Sequence, residues 1–136
     1  MGNFRYKALY ATPEGQRLDW FNVQAYGCYD ARTYATIVAN GYPPDKLVFG
    51  MLGDLYEGAT AFGDAMTELE AAVRAHPTGF GGAVLWEYGD TQVDPVTWGQ
   101  AVERAMAAGL VGARVEEDGG GRDEAVDGWV NGCTAG

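Results

Sequence analysis

The sequence predicts an α/β fold built on one parallel sheet. Three observations lead there. Four short apolar segments have the length and composition of buried strands, amphipathic helical patterns follow the second, third and fourth of them, and Gly, Pro and Asp mark the junctions. Strands alternating with helices favour parallel pairing through right-handed crossovers.

The first segment, YKALYA (residues 6–11), is closed by Pro13 and Gly15. FNVQAY (residues 21–26) is the second. DARTYATIVANG follows as a helix, with Asp30 as N-cap, Tyr34, Ile37 and Val38 on one face, and Gly41 at the exit. The turn GYPPD introduces the third strand, KLVFGM (residues 46–51). Phe62, Met66, Leu69 and Val73 then recur at helical spacing. GGAVLW (residues 81–86) is the fourth strand. Asp94 and Pro95 start a last helix whose stripe is Trp98, Val102 and Met106. From Gly112 onward the chain is Gly-rich, acidic and aperiodic, which predicts a flexible tail over residues 112–136.

At 136 residues the chain is one small domain or a piece of a larger one. A net charge of −10 works against nucleic-acid phosphates and anionic membrane surfaces, so neither is an expected partner. No apolar run reaches the roughly 18–20 residues of a membrane span, and MGNFRYKALY lacks the apolar core of a signal peptide. There is no serine and one histidine, His76, which excludes a Ser–His–Asp triad and any zinc site needing two histidines. Cys28 and Cys133 lie far apart and form no metal-ligand spacing. No metal or cofactor is expected. His76, before Pro77, reads as a residue facing a helix C-terminus.

In parallel α/β folds, ligands meet the C-terminal ends of the strands. The segments end there in Glu14, in Gln24 and Tyr26, in Asp54, and in Trp86 and Glu87. Aromatic faces flanked by amides and carboxylates suit sugar rings, which stack through C–H faces and bond through hydroxyls. From the strand pattern alone, Trp86 and Tyr26 read equally as packing aromatics, and the carboxylates as solvated loop residues.

LDWFNVQAYG, KLVFGM and GFGGAVLWEYGD, in this order and spacing, resemble strands six, seven and eight of the glycoside hydrolase family 18 barrel, the chitinase family. YKALYATPEG is similar to strand five. The resemblance covers roughly residues 5–108 and implies a partial (half) TIM (β/α)8 barrel over residues 1–111, with four parallel strands and the helices outside. It implies that Trp86 floors the subsite of the cleaved sugar and that Tyr26 orients the substrate's N-acetyl group, with Gln24 beside it on the same strand face. Glu14 and Glu87 stand with them as substrate-binding candidates. The family hydrolyses β-1,4-linked N-acetylglucosamine polymers by substrate-assisted catalysis and is often secreted.

Two departures matter. Gly27 stands where Asp or Asn usually follows the tyrosine, and no Asp-x-x-Asp-x-Asp-x-Glu run supplies the catalytic acid. The expected ligand is therefore an N-acetylglucosamine-containing glycan, bound without turnover by the isolated chain. The alternative is a non-catalytic carbohydrate-binding or assembly module. A half-barrel leaves open edges and a bare sheet face, so the expected protein partner is a second copy or an N-terminal half-barrel.

Overall fold

The structure is a computed structural model and describes residues 6–118. Its elements are α1 (Tyr6–Tyr10), β1 (Phe21–Gln24), α2 (Ala31–Ala39), β2 (Leu47–Leu52), α3 (Phe62–Ala75), β3 (Gly82–Trp86) and α4 (Pro95–Asp118). The three strands form one parallel sheet in chain order, β1-β2-β3, with Phe21 level with Leu47 and Leu52 level with Trp86.

The expected fourth strand is not formed. Residues 6–10 are a one-turn helix, closed by the Ala11 N–H on the Lys7 carbonyl (3.1 Å) and the Thr12 N–H on the Leu9 carbonyl (2.9 Å). The reason is local. A short apolar run does not distinguish strand from helix by periodicity, and Ala and Leu favour the helix. Tyr10 seats this turn against Phe21 (centroids 5.5 Å) and Tyr42 (6.1 Å), at the strands' N-terminal end. Lys46, just before β2, ties the same region down by donating to the Gln16 and Leu18 carbonyls (2.9 and 2.7 Å).

The helices form as their caps dictate. Asp30 Oδ1 accepts the Thr33 N–H at 2.6 Å and starts α2, while Asp94 Oδ1 accepts from Val96 and Thr97 at 3.0 Å and starts α4. Gly41, with φ of 95°, turns the chain out of α2. Glu68 of α3 accepts the Ala31 N–H (2.9 Å), fixing α2 on α3. α4 does not stop at Gly112 but continues to Asp118, so the expected tail boundary falls inside a helix. Gly109 and Gly112 lie directly against α3: a Cβ at Gly109 would stand 2.6 Å from the Glu70 carbonyl oxygen. Residues 119–136, including Trp129 and Cys133, lie outside the described residues.

Among the described residues, helices cover one sheet face and leave the other bare. Alternation sends Leu47, Phe49 and Met51 of β2 towards the helices, where they are buried with Tyr34, Leu69 and Val73. Register places Phe21, Val23, Ala83 and Leu85 on the same side, packed against that core. The ring of Phe49 stacks on Tyr29 at 4.0 Å and meets Tyr34 edge-on at 5.2 Å. Asn22, Gln24, Val48, Gly50, Leu52, Val84 and Trp86 have the opposite parity. Val48, Leu52 and Val84 stand outside the core cluster, so the described helices all pack on the other face.

Candidate functional site

The C-terminal ends of the three strands gather most of the sequence-predicted residues. Gln24 ends β1 and is exposed, and its parity puts it on the bare face. Trp86 ends β3 with the same parity, level with Leu52, and is 53% exposed. Trp86 is therefore not part of the core of the described residues. β1 and β3 flank β2, so the two strand ends stand about 10 Å apart. The Trp86–Glu87 peptide bond is cis.

Tyr26 lies just past β1, where the strand ends because the Ala25 N–H is shared by the Val23 and Gly50 carbonyls (both 3.1 Å). Gly27, at φ 78°, turns the chain away in a conformation that favours glycine. Tyr26 is half-buried, and burial raises its phenol pKa above the ordinary value.

The loop after β2 is laced to the loop after β3. The Gly53 N–H donates to the Trp86 carbonyl (2.8 Å), the Leu55 N–H to the Asp90 carbonyl (3.2 Å), and Asp54 Oδ1 accepts the Gln92 N–H (2.8 Å). Gly53 is required there, since a Cβ would run into the Asp90 backbone. Tyr56 Oη donates to Asp90 Oδ2 at 3.0 Å. Its phenol pKa is raised, chiefly by that hydrogen bond and then by burial and the neighbouring charges of Asp90 and Glu87. Tyr56 and Asp90 are thus joined directly, with Glu87 and Tyr26 near enough to add to the electrostatics of the Tyr56 phenol.

Tyr56 and Asp90 are the residues that reading strand ends missed. Their partnership depends on two loops far apart in sequence, and the only available signal was an aromatic a few residues past each strand. Glu14, by contrast, is not brought to this end. It precedes the Gly15–Arg17 turn, near the Lys46 contacts at the strands' N-terminal side, because the segment before it is a helix and not a barrel strand. Among the described residues no group of three His, Cys, Asp or Glu is placed to hold a metal ion, and no helix is long and apolar enough to cross a membrane.

The rim can therefore stack a flat apolar face on Trp86 and offer it amide, phenol and carboxylate groups within a strand spacing or two. A proton donor flanked by a second carboxylate in a closed cleft is not part of this arrangement. Comparison of the chain with protein-family models, with curated proteins and with solved structures finds no match.

Proposed function

We propose that this chain is part of a chitinase-like (glycoside hydrolase family 18) barrel wall that binds an N-acetylglucosamine-containing glycan without cleaving it on its own. The observation that carries the reading is the exposed indole of Trp86 on the bare sheet face, with Gln24 and Tyr26 at the end of the strand two places away. Trp86 is one of several exposed apolar side chains on these loops, with Leu55, Tyr56 and Tyr88, and a pyranose face is a suitable cover for an indole in such a patch. The three motifs that resemble strands six to eight fall on three parallel strands in chain order, which is compatible with the proposed half-barrel.

Glycoside hydrolysis requires a general acid at the leaving oxygen, and the sequence has no aspartate run ending in such a glutamate. Binding without turnover is the consequence. Titration with an N-acetylglucosamine oligomer, followed calorimetrically, is expected to give saturable binding, while a chromogenic analogue is not hydrolysed. Trp86→Ala is expected to weaken binding by at least about 1 kcal/mol, roughly fivefold, with the far-UV circular dichroism unchanged. Tyr26→Phe is expected to weaken it less. Absence of binding at millimolar oligomer overturns the reading.

A further inference from the structure

The exposed apolar groups of the rim sit in a field of one sign. Leu55, Tyr56, Trp86 and Tyr88 are 56%, 38%, 53% and 63% exposed. The loops that carry or adjoin them, residues 25–30, 53–61 and 87–94, hold Asp30, Asp54, Glu57, Glu87, Asp90 and Asp94 and no Lys, Arg or His. The nearest basic residue in sequence is Arg32, in the first turn of α2. At the opposite end of the strands the charges are mixed, with Arg17, Lys46 and His76 beside Glu14, Asp19 and Asp45.

The carboxylates are not equally committed. Asp30 and Asp94 cap helices, Asp54 holds the Gln92 N–H, and one oxygen of Asp90 takes the Tyr56 hydroxyl. Glu57 and Glu87 are exposed, and their side chains make no hydrogen bond or ion pair among the described residues. Glu87 directly follows the indole. A sugar stacked on Trp86 thus has an unpaired, exposed carboxylate on the very next residue.

We infer that the rim selects a cationic amino sugar, a β-linked glucosamine chain bearing free amines beside or in place of its acetamides. The inference rests on the sugar-binding reading above and adds the charge of the ligand to it. An acetamide N–H can donate one neutral hydrogen bond to a carboxylate, whereas a protonated amine adds a full opposite charge and pairs more strongly with Glu87, Glu57 or the free oxygen of Asp90. The indole face adds a cation–π contribution. A basic peptide satisfies the same charge but needs pockets for its side chains. A cavity of about 270 Å³ runs along β3 from Ala83 and Leu85 to Tyr88 and Val93 of the rim loop, closed by Pro95 and Trp98, and its lining is mostly apolar with no charged side chain.

The test compares three probes by calorimetry, at low and at high salt: a fully de-N-acetylated glucosamine hexamer, the N-acetylated hexamer, and oligolysine of matching charge. The glucosamine hexamer is expected to bind at least roughly fivefold more tightly than the acetylated one at low salt, with the advantage lost at high salt. Glu87→Gln is expected to reduce that advantage by weakening the glucosamine hexamer more than the acetylated one. Trp86→Ala is expected to weaken both sugars. Equal or tighter binding of the acetylated hexamer overturns the inference and leaves the sugar site standing. Failure of both sugars overturns the sugar site itself. Oligolysine binding as tightly as the glucosamine hexamer, insensitive to Trp86→Ala, overturns the inference in favour of a generic cation surface.

Discussion

At the level of single residues, Gly50 sets the shape of the bare face. A Cβ there would stand 2.5 Å from the Val23 carbonyl oxygen and 3.2 Å from Val84 Cγ1, so the centre of the sheet is a shallow floor between β1 and β3. Gly50→Ala is expected to destabilise the chain by about 1–3 kcal/mol, the usual cost of overpacking, measured as a shift in denaturant midpoint. His76 offers a pH-dependent test. It caps α3 with its Nε2 buried and unpartnered, its ring 5.4 Å from that of Tyr34, and burial lowers its pKa despite its place at a helix end. The folded state therefore disfavours the proton that the unfolded chain accepts at its ordinary pKa. Stability is expected to fall as pH drops from about 7 to about 5, and His76→Gln is expected to flatten that limb. Because the chain has one histidine, its imidazole titration by NMR checks the direction directly.

Among the elements, α3 and α4 make the broadest contact, and it runs through glycine. Gly109→Ala would press a methyl group on the Glu70 carbonyl and on Val73, so it is expected to cost about 1–3 kcal/mol by the same measurement, although alanine is the better helix former. The same glycines hid the end of α4 from the sequence. Gly112 reads as a breaker followed by acidic residues, but in place it gives room to Arg74, and Ala113 is buried one residue later. Helices with a capping aspartate and a stripe, as at Asp30 and Asp94, were legible because both signals are local. β1, β2 and β3 were legible because each run is bounded by Gly, Pro or Asp. The segment before Pro13 carried no such discrimination, and misreading it also misplaced Glu14. The rim was legible only where a strand's own end supplies the residue, as with Gln24, Tyr26, Trp86 and Glu87. Tyr56 and Asp90 meet across two loops, which no local pattern encodes.

For the molecule as a whole, the sheet has helices on one side and Val48, Leu52, Val84 and Trp86 on the other, with β1 and β3 as free edges. Such a surface is expected to associate. Light scattering of the isolated chain at about tens of micromolar is expected to show species larger than a monomer. Val84→Asp, at the middle of β3 on the bare face, is expected to shift them towards monomer by placing like charges across any contact. A clean monomer for the unaltered chain would contradict the expectation.

Among the described residues, the loops at the strands' C-terminal end hold carboxylates and no basic group, while the opposite end has charges of both signs. A cation is expected to be drawn towards that end before contact, so encounter is oriented as well as attracted. Added salt then slows arrival more than it hastens departure. In a stopped-flow experiment the bimolecular rate constant would carry most of the ionic-strength dependence, while the lifetime of the bound sugar, set by stacking on the indole, would stay nearly constant.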